Sequence, residues 1–376
     1  MEFVFCIIDP RFIDFFLPMI ENLGRDRCAL LSLSNGDVAL EAKRHGLQLC
    51  PTRYSRVQLG ALGRPPAALY PRYAIAVDQY LKALGTLEWM RPRTVIFGEA
   101  ASFEEEIVAQ AARSLRMRTV RVQHGRAGVI HPGYYDMPYD LMLMWGQGFV
   151  DRLKPTSPDC RYEITGSPLI DQRAANALDP HLAAFMESKP TVTVISQPQS
   201  TNILRSDYEA LVSVVDGVMR SATGLNVLVR LHPADKAQDF AQLAQTCPQR
   251  MRVTRSQDFP LNAILRYSSV VVGLYSTALT EAVAVGVVPV VLRLGEGERH
   301  RIFPSPEDSG AAELATSPEA AVAAICRLAT DPTAKAGYGS RMETFVRHYF
   351  GPAGGSAVAR IVARIENANT GGGARQ

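Results

Sequence analysis

Ser276 and Thr277 follow the apolar run 269–273 and precede a helical pattern over 277–285. At such a junction a hydroxyl side chain caps the helix, and the helix's open N–H groups and positive end suit a phosphate. Glu281, one turn in, can accept hydrogen bonds from ribose hydroxyls. The same residues also make a plain N-cap with an acidic side chain favouring the helix start. Arg230-Leu231-His232-Pro233 ends another apolar run. Strand alternation puts Arg230 and His232 on one face, and the proline stops the strand. The arginine suits two-point contact with phosphate, and the histidine can donate to a phosphate or leaving-group oxygen. A surface histidine at a turn is the competing reading. Gln197, in the stretch Ser196-Gln197-Pro198-Gln199-Ser200-Thr201, ends a third run with groups suited to a base or a phosphate; a plain turn fits equally well.

Two further strand ends fall in the N-terminal half. Gln123-His124-Gly125 ends the run 119–122. His124 could act as a base or hold an acceptor, and Gly125 allows a ligand close to the backbone; a structural histidine is the alternative. Glu99 follows the run 94–97, where a carboxylate can take a proton from a sugar hydroxyl. It can also simply offset the dipole of the next helix together with Glu104–Glu106. His131 lies in a loop and reads as solvated.

Strand ends matter only if the elements behind them form parallel sheets. Short apolar runs at 3–8, 28–33, 47–50, 94–97, 119–122, 141–145 and 162–168 alternate with helical patterns. In the helix after Glu99, Phe103, Ile107, Ala111 and Leu115 mark an apolar face. The plan restarts at 191–196 and continues through strands at 226–231, 251–254, 269–273 and 287–292. The region 318–365 is helical, with breaks at Asp331-Pro332 and Gly351-Pro352. Alternation of this kind implies right-handed βαβ units. The expected fold class is α/β, with two doubly wound, Rossmann-like domains facing a cleft. The expected boundaries are 1–178, 179–350, and a C-terminal helix and tail over 351–376. In such sheets ligands sit beyond the carboxyl ends of the strands.

The composition sets limits. The 376 residues carry 40 Lys plus Arg against 37 Asp plus Glu, a net charge of +3. This gives no reason to expect nucleic acid as a partner. The six cysteines form no C-x-x-C pair and read as reduced core residues. No metal or cofactor is expected. Phosphate-loop, dinucleotide-fingerprint, nucleophile-elbow and zinc-protease motifs are absent. No stretch approaches the roughly 18 apolar residues of a membrane span, and the N-terminus lacks a basic leader. A cytoplasmic protein is expected, with peripheral contact at the inner membrane left open.

At these residues the chain resembles GT-B glycosyltransferases of bacterial capsule and lipopolysaccharide synthesis, most closely the group using CMP-linked Kdo or sialic acid. CDP-glycerol glycerophosphotransferases and UDP-N-acetylglucosamine 2-epimerases share parts of the pattern. The strand ending in His124-Gly125, the His232-Pro233 pair, and Ser276–Glu281 with the strand after Gly286 carry the resemblance. It implies a transferase whose His232 meets the donor phosphate and whose Ser276 and Thr277 hydroxyls bind it. Joined to the residue readings above, the expected catalytic set is Glu99, His124 and His232, the expected donor contacts are Gln197, Arg230, His232, Ser276, Thr277 and Glu281, and the acceptor side is expected at Gly125. The implied partners are a nucleotide-sugar, CMP-linked by preference, and a glycan or lipid-linked glycan acceptor. The chain departs from some sialyltransferases in lacking a paired Asp-Asp-Gly acid, and Glu99 takes that place. A nucleotide-sugar 2-epimerase, drawing on the charged stretch 295–300, and a noncatalytic scaffold are the alternatives.

Overall fold

The structure is a computed structural model. It describes residues 1–33, 36–55, 70–98, 102–125, 134–168, 178–200, 203–235, 238–274, 276–295, 303–352 and 355–367. The chain forms two compact units, Met1–Pro168 with Gly351–Gln376, and Leu169–Phe350.

The first unit is built on β1 (Phe3–Cys6), β2 (Cys28–Leu31), β3 (Thr94–Phe97), β4 (Arg118–Val122), β5 (Leu141–Met144) and β6 (Arg161–Ile164). They lie in the order β2-β1-β3-β4-β5-β6, and every pairing is parallel. β1, β2, β3 and β5 are buried along their whole length, which is why they read as unbroken apolar runs rather than alternating ones. The run 47–50 is not a strand of its own. It meets β2 through a single isolated bridge, Leu30 to Leu49. Helix Arg11–Leu23 and helix Ala357–Asn367 cover one face of the sheet, with Phe16, Ile20, Ile361 and Ile365 fully buried in one cluster. The C-terminal helix is therefore part of the first unit's core.

The second unit repeats the design with β7 (Thr191–Ile195), β8 (Asn226–Leu231), β9 (Met251–Arg255), β10 (Val270–Gly273), β11 (Pro289–Leu292) and β12 (Glu313–Ala315). The order is β12-β11-β10-β7-β8-β9, again all parallel. The chain builds outward from β7 to β9, then returns to β7's other side at β10. The strand order thus reverses between β7 and β10, and in the first unit between β1 and β3. Ligands of open α/β sheets collect outside the carboxyl ends at such reversals.

Candidate functional site

Pairing registers decide which residues meet at the β7/β10 reversal. Gly273 of β10 pairs with Ile195 of β7, and Ile195 pairs with Arg230 of β8. The three strands therefore end at one level, and Ser276, Gln197 and His232 follow from neighbouring ends.

Ser276 is extended, at φ −132° and ψ 142°, and its Oγ accepts the Ala278 N–H at 3.2 Å. It is the N-cap of helix Thr277–Ala284. The remaining first-turn N–H groups have no acceptor within the helix. Thr277 is exposed and Ser276 half-buried at this end. Small hydroxyl residues make the turn feasible, because a cap side chain can satisfy an N–H that the helix itself cannot.

Arg230 is held on one side and charged on another. One terminal guanidinium nitrogen donates to the Ser256 carbonyl at 3.0 Å, while the buried Nε has no hydrogen-bond partner among the described residues. Burial lowers the guanidinium's pKa, and the nearby Glu281 carboxylate raises it in part. Glu281 lies on the helix after β10, and its carboxylate acts electrostatically on Arg230 near the end of β8.

His232 is exposed, and its Nδ1 accepts the Ala234 N–H at 3.2 Å. An imidazole that accepts at Nδ1 carries its proton at Nε2 when neutral. The ring therefore offers an outward N–H donor. Ser196 and Asp235 fasten the two strand ends behind it. The Ser196 N–H donates to the Arg230 carbonyl at 3.0 Å, and the Ser196 hydroxyl donates to the buried Asp235 carboxylate. Gln197 follows, half-buried. All six donor-side residues, Gln197, Arg230, His232, Ser276, Thr277 and Glu281, thus lie on the β8, β7 and β10 ends or the helix that follows. Ser196's bond and Asp235 were not singled out by sequence. The available signal was an Asp two residues after a strand-ending proline, where turn chemistry favours it.

Glu99 and His131, in the first unit, lie outside the described residues, as do 296–300 of the charged stretch in the second. His124 packs its ring 4.3 Å from that of Phe12 and 4.8 Å, edge-on, from that of Phe15. It is half-buried, with helix Arg11–Leu23 shaping its surroundings. Gly125 is exposed, and a Cβ there would meet nothing within 4 Å among the described residues. Gln123 holds this strand end in place. Its amide donates to the Gly125 carbonyl at 2.9 Å and accepts the Trp145 N–H at 2.9 Å, and its carbonyl accepts the Trp145 indole N–H at 2.7 Å. Glu105 is fully buried and accepts the Gly98 N–H at 3.0 Å. It holds Gly98 at the end of β3, a more specific role than dipole compensation.

No protein-family model matches the chain, and no curated protein matches its sequence. Solved structures do. A Listeria monocytogenes protein assigned provisionally to the UDP-N-acetylglucosamine 2-epimerases superposes with a TM-score of 0.68 at 14% identity, covering 98% of this chain and 96% of its own. MnaA from S. aureus, solved with UDP, gives 0.63 at 15% identity over 97% and 96%. A calicheamicin glycosyltransferase gives 0.57 at 15% identity over 97% and 98%. The fold is α/β, of the GT-B type. At these identities the likeness establishes architecture, and no helix among the described residues is long and apolar enough to cross a membrane.

Proposed function

We propose that the second unit binds the nucleotide of a pyrimidine-nucleotide-linked sugar and that the protein transfers this sugar to a glycan acceptor. The observation that carries the proposal is the register-matched ending of β8, β7 and β10, which collects a helix N-terminus, an exposed histidine with an Nε2–H donor, and an arginine that feels the charge of Glu281. Loss of the nucleotide leaves negative charge on phosphate. The His232 N–H and the helix end supply fixed donors to that charge, which is the kind of preorganised stabilisation that lowers a barrier most. Glu281 is suited to ribose hydroxyls, and Gln197 to the base or a phosphate. On this reading the first unit holds the acceptor, with Glu99 or His124 taking the proton from the attacking hydroxyl.

CMP is favoured by the resemblance of the motifs and UDP by the solved neighbours, so both are pyrimidine donors to test. A nucleotide-sugar 2-epimerase is the second reading, supported by the names of the structural neighbours. The two differ in whether an acceptor is needed. CMP-, CDP- and UDP-linked sugars are incubated with the protein, with and without a glycan acceptor, and nucleotide and sugar are followed by chromatography. A transferase releases nucleotide in proportion to acceptor. Conversion of donor to an epimer without acceptor would replace the reading with the epimerase. Nucleotide neither bound nor consumed would leave a scaffold.

A further inference from the structure

We infer that Asp235, acting with Ser196, is the positioning residue that locks the His232 turn and thereby fixes the ring's donor nitrogen. The inference rests on the reading of His232 as the phosphate donor. Four hydrogen bonds form a chain around this turn. The Ser196 N–H reaches the Arg230 carbonyl at 3.0 Å, and the Ser196 hydroxyl reaches the Asp235 carboxylate. The Asp235 N–H returns to the His232 carbonyl at 2.9 Å, and the Ala234 N–H meets His232 Nδ1 at 3.2 Å. Asp235 is only 9% exposed, whereas His232, Pro233 and Ala234 are exposed. A carboxylate is costly to bury unless hydrogen bonds hold it, and here it ties an otherwise solvent-facing turn to the end of β7. Without that tie the Ala234 N–H no longer has a fixed approach to Nδ1, and the neutral imidazole is free to place its proton on either nitrogen.

The test uses the full chain. The ring tautomer of His232 is read by long-range proton–nitrogen NMR across a pH series, at the alkaline plateau where the ring nitrogen shifts no longer change. The affinity for UDP and for CMP is measured by calorimetry on the same samples. Wild type shows the proton on Nε2. Asp235→Ala and Ser196→Ala give a mixture of tautomers and weaken nucleotide binding by about tenfold, as expected when a buried partner is lost. Asp235→Asn keeps an acceptor oxygen for Ser196 and retains affinity within about threefold. In a His232→Ala background, Asp235→Ala has no further effect on affinity beyond about twofold, because residues acting through one another are not additive. An unchanged tautomer in both Ala variants overturns the inference. So does an equal loss of affinity with and without His232, which would make Asp235 merely structural. Should Asp235→Ala fail to fold, Ser196→Ala carries the same comparison. A tautomer change without any nucleotide binding in wild type would instead sink the proposed function and leave the positioning role standing.

Discussion

Ser276 accepts the Ala278 N–H, and under the proposed function it also meets the donor phosphate; two substitutions separate these roles. Ser276→Ala removes the cap and is expected to cost about 1 kcal/mol of stability while weakening nucleotide binding. Ser276→Asp keeps a good cap, so urea denaturation should place it within about 0.5 kcal/mol of wild type. Its carboxylate repels phosphate, and calorimetry should show nucleotide binding abolished. If Ser276→Asp binds UDP or CMP normally, the phosphate is elsewhere. His232 poses the complementary question of rate. Its exposed Nε2–H contributes little to the fold, so His232→Ala should leave circular dichroism unchanged. Turnover should fall by roughly 10²-fold, as for loss of one preorganised donor at developing charge. Activity within about threefold of wild type would return His232 to a surface role.

The elements show what sequence patterns carry and where they stop. Fully buried strands such as β3 and β10 were legible because a parallel sheet demands unbroken apolar runs. Gly98 after β3 and Ser276 after β10, like His124 after β4 and His232 after β8, are legible as strand ends for the same reason. The segment 47–50 carries the same apolar signal without the pairing, since Leu47 and Leu49 pack against the first unit's core from its margin. In helix Phe103–Ser114 the apolar face is legible only in part. Ala111 is buried and Ile107 half-buried as the spacing predicts, but Phe103 is 54% exposed, and Glu105, Val108, Ala109 and Ala112 also turn inward. An inward glutamate hides the true stripe, because its partner is a backbone N–H that no pattern reveals. The helix after Gly351 was legible as a helix, but its place in the first unit's core was not, since that pairing spans nearly the whole chain. Gly351 makes the approach possible. Its φ is 88°, and a Cβ would lie 2.4 Å from the Trp145 carbonyl oxygen. Gly351→Ala should therefore lower the melting temperature measurably, because both the clash and the left-handed backbone oppose it. Ile361→Ala, in the same helix and fully buried, should cost about 2–5 kcal/mol in urea denaturation. A smaller loss than about 1 kcal/mol would mean the helix is not part of that core.

At the scale of the whole molecule, burial makes the first unit sensitive to alkali. Cys28 and Cys50 thiols are pushed up to about 12 by burial, and Cys6 is raised as well. An unfolded thiol ionises near 9, so the unfolded state loses its protons first as pH rises. The stability contributed by keeping these thiols neutral is full below about pH 9 and is lost as pH climbs towards 12. Urea midpoints at about pH 8 and pH 10 should show the decline, and replacing Cys28 and Cys50 with Ala should flatten it. The connectivity gives a sharper expectation. The second unit, Leu169–Phe350, is one continuous stretch with its own sheet and its own apolar clusters. The first is discontinuous, and Met1–Pro168 alone lacks the helix that buries Ile361 and Ile365 against helix Arg11–Leu23. Expressed separately, residues 169–350 should unfold cooperatively and bind UDP or CMP as well as the full chain, yet transfer no sugar. Residues 1–168 should be insoluble or molten, and adding back 351–376 through a flexible linker should restore a cooperative transition. The reason is that a domain folds alone only when its core is complete. Cooperative unfolding of 1–168 without the helix would show that the C-terminal segment decorates this core rather than completing it. Loss of nucleotide binding by a cooperatively folded 169–350 would place part of the donor site on the first unit.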